Sequence, residues 1–217
     1  MDVFNTSIRF FQEGGFFMYP ILLVFALGIA ISIERYIYLT NARSKNREAW
    51  DKLLPLLKSG EYQKALSMMD QSDAAISKIL SYGLSRLGLG RRHDDIETAM
   101  EEGLMEATPR LEKRTHYLST FANIATLLGL LGTIVGLIQA FTAVSNADPS
   151  EKAALLSSSI SVAMNTTAFG LIVAIPLLLI YSVLQTKTTE LVDSLEMASV
   201  KVLNIIKEHA NKDGDSR

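Results

Sequence analysis

The sequence predicts an all-α integral membrane protein with three transmembrane helices and a helical cytoplasmic extension. Residues 16–33, 117–147 and 153–186 each run without a charged side chain, and a helix needs roughly 20 apolar residues to cross a ~30 Å hydrocarbon core. Most of the Lys and Arg residues fall between Thr40 and His116, as expected of a segment held inside by the positive-inside rule. Within that segment apolar residues recur at helical spacing. A net charge of −2 says little about partners, because the charges are segregated rather than scarce.

The elements follow in order. Residues 1–15 form a weakly amphipathic segment, with Val3, Phe4, Ile8, Phe10 and Phe11 available to lipid and Gly14-Gly15 as a break; an interfacial helix on the outer side is expected. Asp2 and Glu13 outweigh Arg9, and no small-x-small site closes the following run, so a cleavable signal peptide is not expected. The first span, 16–39, ends in Glu34-Arg35 followed by Tyr36 and Tyr38, a charged and aromatic border suited to the water interface. Glu34 and Arg35 are expected to form an ion pair there.

Residues 40–116 read as a helical cytoplasmic region. Trp50, Leu53, Leu54, Leu56 and Leu57 precede a stop at Ser59-Gly60; Tyr62, Ala65, Leu66, Met68 and Met69 share a helical spacing, as do Ile76, Ile79, Leu80, Leu84 and Leu87. Gly88 and Gly90 end that helix, and Asp94-Asp95 supply caps for the next. From Asp95 the pattern continues towards Ser145, interrupted at Pro109. The proline is expected to kink a continuous helix rather than restart one capped by Thr108.

The second span covers 117–145 and the third 155–186, joined by an outer turn at 146–154. In that turn Asp148 suits a cap, Pro149 the first helical position and Glu151 an acidic first turn. The tail, 187–217, keeps Leu191, Leu195, Ala198, Val202 and Ile205 on one helical face before Asp213-Gly214. The flanking basic residues place the N-terminus and the outer turn outside, with the large loop and C-terminus inside.

Two stripes of small residues carry the functional signal. On the second span Gly129, Gly132, Gly136, Ala140 and Ala143 fall three or four apart, bordered by Thr133. On the third, Ser159, Ala163, Thr167, Gly170 and Ala174 do the same, with Thr166 beside them. Such stripes let helix backbones approach closely. Asn165 lies about 200° round from Ala163 at ~100° per residue and is expected to face another neighbour. Pro176 removes the helical donor for the Ile172 carbonyl. Lipid rewards bulk and punishes polarity, so two threonines and an asparagine opposite a stripe carrying a third threonine suggest a polar seam. The alternative is a non-conducting oligomeric scaffold in which the stripes serve packing alone.

No Asp, Glu, Lys, Arg or His interrupts the three runs, so any titrating group at depth must come from another chain. With no cysteine, thiol chemistry and cysteine metal sites are excluded. His93, His116 and His209 are isolated, and no nucleophile–base or metal cluster can be assembled, so neither an enzyme nor a resident cofactor is expected. Nucleic-acid binding would need a basic face interleaved with aromatics, and a small-molecule transporter would show repeats and broken helices; neither pattern is present. The basic clusters at Arg43–Arg47 and Arg91-Arg92 suit solvent or anionic lipid headgroups.

The chain resembles the MotA/TolQ/ExbB proton-channel family, its ExbB/TolQ branch in length and span count. The resemblance rests on Gly14-Gly15-Phe-Phe-Met-Tyr-Pro20 with Glu34-Arg35, on Leu128-Gly-Leu-Leu-Gly-Thr133 through Phe141, and on Thr166-Thr167-Ala168 with Gly170-Leu171 and Ala174-Ile-Pro176. It implies a homopentamer in the bacterial inner membrane around a single-span ExbD/TolR/MotB-like partner, whose membrane aspartate would sit near Thr133 and Thr167. It also implies proton or sodium flow that drives work on the envelope. Two positions depart from the branch: Val162 stands where ExbB and TolQ usually carry a glutamate, and Thr126 where a proline often precedes the glycine-rich block. The first leaves room for sodium coordination by hydroxyls and carbonyls. The expected ion pathway is therefore Thr133 and Thr167, then Thr166 and Asn165. Gly129, Gly132, Gly136, Ala163, Gly170 and Pro176 serve helix packing and partner contact.

Overall fold

The computed structural model describes residues 15–87, 93–145 and 147–215. Among them every regular element is an α-helix: α1 Met18–Lys58, α2 Tyr62–Asp70, α3 Ala75–Leu87, α4 His93–Glu112, α5 Thr115–Ser145 and α6 Lys152–Asp215. Three runs, Met18–Lys58, Asp94–Ser145 and Lys152–Asn211, are long and apolar enough to cross a membrane. The segment expected to form an interfacial helix, and the Gly88 and Gly90 stop, lie outside the described residues apart from Gly15.

The chain divides into two compact units, residues 1–34 with 114–183 and residues 35–113 with 184–217. In the first, small or inward residues are buried while bulky aliphatics face out. Met18, Ile21, Leu118, Ala122, Ala125, Val173, Ala174 and Leu177 are buried; Leu23, Leu127, Leu130, Ile138, Ile172 and Leu179 are exposed. A soluble protein does not expose so large an apolar surface, whereas lipid solvates it at no cost. Gly28 of α1 faces Leu177 of α6, where a β-carbon would lie 2.7 Å from Leu177 Cδ2. One turn on, Ser32 is buried and donates to the Gly28 carbonyl at 2.7 Å.

Helix α6 follows a turn in which the Asp148 carbonyl accepts from the amides of Glu151 at 2.9 Å and Lys152 at 3.3 Å. Helix α4 runs through Pro109, and Thr108 bonds back to the Leu104 carbonyl at 2.9 Å instead of capping a new helix. The interruption lies one turn beyond the proline: Arg114 adopts φ 66, a left-handed conformation unfavourable for a residue with a side chain. The Arg114 carbonyl then receives the Tyr117 amide at 3.1 Å as α5 begins. A proline forfeits one helical donor but suits helical φ, so by itself it need not end the helix.

In the second unit Leu53, Leu57, Ala65, Met69, Ile79, Leu80, Ile96, Met100, Leu195 and Val202 are buried. Gly60, at φ +77, turns the chain after α1, a conformation glycine adopts without steric penalty. The amide of Ile76, an orphan donor at the start of α3, is taken up by Asn46 Oδ1 of α1 at 2.9 Å. Helices α3 and α4 pack through glycine: a β-carbon at Gly103 would lie 3.0 Å from Ile79 Cα.

Candidate functional site

Helices α5 and α6 touch backbone to backbone along the two stripes. A β-carbon at Gly129 would lie 3.2 Å from Thr167 Cα and 3.3 Å from Gly170 Cα, and one at Gly136 would lie 2.9 Å from Ala163 Cβ. At Gly170 it would meet the Ala125 carbonyl oxygen at 2.7 Å, and at Gly132 it would fall onto Thr166 Cγ2. Gly129, Gly132, Ala140, Ala163 and Gly170 are buried, whereas Ala143 is exposed, so the close contact does not extend along the whole small-residue stripe.

That approach brings two hydroxyls together across the helix pair. Thr133 Oγ1 and Thr167 Oγ1 hydrogen-bond one another. Thr167 Oγ1 donates to the Gly129 carbonyl at 2.9 Å. Thr133 Oγ1 lies 3.2 Å from the same carbonyl and 3.4 Å from that of Ala163. Four oxygens, two of them hydroxyls that can rotate, thus converge in a stretch of sequence holding no ionisable side chain. Threonines and carbonyls at this spacing can pass hydrogen bonds and present oxygen to a cation, but they cannot titrate usefully. Among the described residues no group of His, Cys, Asp and Glu is arranged to hold a metal.

The remaining residues separate from this cluster. Thr166 is 2% exposed; its methyl faces Gly132 and its hydroxyl donates back to the Val162 carbonyl at 3.0 Å. Helical rotation of ~100° per residue explains why adjacent threonines part company, Thr167 to the cluster and Thr166 into the glycine notch. Asn165 is half-buried and is not drawn into the cluster. Pro176 is exposed, about 13 Å along α6 from Thr167 at ~1.5 Å per residue.

Glu34 and Arg35 take separate partners. The Glu34 carboxylate lies 3.6 Å from Arg114 Nη1. Arg35 is 2% exposed, donates to the Leu111 carbonyl and stacks over the Tyr38 ring at 4.8 Å. Successive helical residues do not face each other, so the expected pairing gives way to pairs with residues distant in sequence.

Sequence reasoning missed the start of the first span as part of this neighbourhood. Phe17 Cβ would be 3.3 Å from a β-carbon at Gly132, and Val162 Cγ1 3.4 Å from one at Gly15. The one local signal was Gly14-Gly15, which permits a close approach as well as a break.

Residues 71–197 match the MotA/TolQ/ExbB proton channel family. An ExbB-homologous biopolymer transport protein of Methanothermobacter thermautotrophicus is 29% identical over 199 residues, 91% of this chain and 69% of that protein. An ExbB-like biopolymer transport protein of Synechocystis sp. is 30% identical over 201 residues, 84% of this chain and 72% of that one. The Tol-Pal system protein TolQ of Haemophilus influenzae is 28% identical over 162 residues, covering 70% and 71%.

Proposed function

We propose that this chain, which belongs to the MotA/TolQ/ExbB proton channel family, is the multimeric channel or stator subunit of an ion-driven motor in the bacterial inner membrane. A single-span partner of the ExbD/TolR/MotB kind carries the titrating aspartate. The carrying observation is the Thr133–Thr167 hydroxyl pair around the Gly129 carbonyl, within apolar stretches, residues 117–147 and 153–186, that hold no carboxylate of their own.

In this reading the partner's aspartate takes up and releases a proton, or holds and releases sodium, beside the hydroxyl pair. A hydroxyl donates to an ionised carboxylate and accepts from a protonated one, so the pair serves both states. The glycines keep side chains out of the way of an approaching helix. Ion flow then turns or displaces this chain against its partner, and the work reaches the envelope on the outer side. Five copies around the partner is the assembly the family resemblance suggests, with the N-terminus outside and the C-terminus in the cytoplasm.

The competing scaffold reading has a specific observation behind it, since every hydroxyl of the cluster already has a partner within the chain. One experiment separates the two. The chain and its single-span partner are reconstituted together in liposomes and flux is followed under separate proton and sodium gradients. Flux that requires both chains and the partner's aspartate supports the channel and identifies the ion. Assembly with neither ion moving sinks it in favour of the scaffold.

A further inference from the structure

The second unit carries two charged surfaces of opposite sign that the ion pathway does not use. Between α1 and α6 runs a groove of about 330 Å³, floored by Trp50, Leu191 and Leu195 and edged by Arg43, Arg47 and Lys201. Arg43 lies 3.4 Å from Glu190, both well exposed, while no ion pair is formed by Arg47 or Lys201 among the described residues. Met197, 57% exposed, adds an apolar edge.

Helix α4 offers the complement. Its inner face, Ile96, Ala99, Met100 and Gly103, is buried. Asp94, Glu97 and Glu101 are exposed and, among the described residues, join no ion pair. Their spacing of three and four residues stacks them on one ridge, continued at the same spacing by Met105, which is 73% exposed. Asp94 to Glu101 covers about 10 Å of helix at ~1.5 Å per residue, as does Arg43 to Trp50. A ridge of carboxylates ending in a thioether therefore matches, in sign, a groove edged by cations over an indole and a second thioether and, in length, its Arg43–Trp50 edge.

We infer that the α1–α6 groove receives the acidic ridge of α4 from a second copy of this chain. Because the two surfaces differ, the contact is head-to-tail, and repeated contacts close into a ring when the rotation allows. This rests on the multimeric reading above and gives it a specific interface. Lipid is a poorer occupant: Arg47 lies about 18 Å along α1 from Arg35 at the membrane border, whereas headgroup attraction fades within a Debye length of ~8 Å.

The absence of native cysteine makes the test direct. The full chain carrying Met105→Cys and Met197→Cys together is oxidised in lipid nanodiscs and run without reductant, while its native mass is measured in parallel. The expected result is a ladder of covalent multimers from the double variant and only monomers from either single variant. Adding Arg47→Glu and Lys201→Glu should cut the ladder by roughly tenfold through like-charge repulsion. Adding Glu97→Lys and Glu101→Lys to that background should restore it. Dimers from a single variant would indicate a symmetric contact and overturn the inference. So would an intact multimer with no ladder, or a ladder insensitive to charge reversal. A native mass of one copy would instead sink the multimeric reading itself.

Discussion

Replacing Thr167 by Val tests whether the hydroxyl pair conducts or merely packs. The two side chains have nearly the same shape, so the contact of α5 with α6 is kept and only polarity changes. Thr167 donates one interhelical hydrogen bond, to Gly129 at 2.9 Å, and shares another with Thr133. Hydrogen bonds between membrane helices are worth about 0.6 kcal/mol on average. The Gly129 carbonyl also keeps the Thr133 hydroxyl at 3.2 Å. The expected loss of about 1 kcal/mol should leave the oligomer assembled. Transport should respond far more strongly: a hydrogen bond to a charged group is worth about 1.5–3 kcal/mol, and each ~1.4 kcal/mol at a barrier is tenfold in rate. Ion flux in liposomes containing both chains should therefore fall by roughly ten- to a hundredfold while native mass is unchanged. Normal flux through Thr167→Val would refute the hydroxyl pathway and leave the packing role.

Gly170→Ala should destabilise the α5–α6 pair by about 1–3 kcal/mol of overpacking, because the new methyl meets the fixed Ala125 carbonyl at 2.7 Å. Gly28→Ala should cost less, since its methyl meets the mobile end of Leu177 at a similar distance; denaturant titration of the two variants in matched micelles would rank them. Asn46→Ala removes the acceptor for the Ile76 amide and should cost about 1 kcal/mol, as loss of a helix cap does, seen as faster hydrogen exchange at the start of α3. Glu34→Gln should leave flux within about twofold, because its contact with Arg114 is exposed and such pairs contribute ~0–1 kcal/mol. A severe loss of flux there would mean that the border carboxylate belongs to the ion path.

The helical membrane architecture was legible because lipid demands long charge-free runs, a one-dimensional property of sequence. The Thr133–Thr167 pairing was legible for a related reason: two small-residue stripes on helices joined by a short turn have few ways to meet. What sequence could not assign is choice among near-equivalent partners. Spacing put Thr167 on the small-residue stripe and Thr166 beside it, but not where Thr166 would come to rest, its methyl in the Gly132 notch and its hydroxyl on the Val162 carbonyl. The Glu34-Arg35 dipeptide invited a local pairing, but its partners, Arg114 and the Leu111 carbonyl, come from elsewhere in the chain. The break in the helical path fell at Arg114 rather than at Pro109, because proline suits helical φ and need not end a helix, and the sequence around Arg114 carries no turn residue to mark it.

The geometry of the cluster also indicates what a threonine supplies that a fixed donor would not. Two hydroxyl protons are available to four oxygens: the two hydroxyls themselves and the carbonyls of Gly129 and Ala163. Thr167 can donate to Gly129 while Thr133 donates to Ala163, or Thr133 can donate to Gly129 while Thr167 donates to Thr133. Moving between these patterns needs only hydroxyl rotation, with no backbone shift. A carboxylate brought beside the pair wants a donor when ionised and an acceptor when protonated, and one rotation supplies either. Serine retains that capacity and valine loses it. On the proposed pathway Thr167→Ser should therefore keep most of the flux that Thr167→Val loses, a contrast read in the same liposome assay. Equal losses from Ser and Val would point to the methyl, and hence to packing, as the feature that matters.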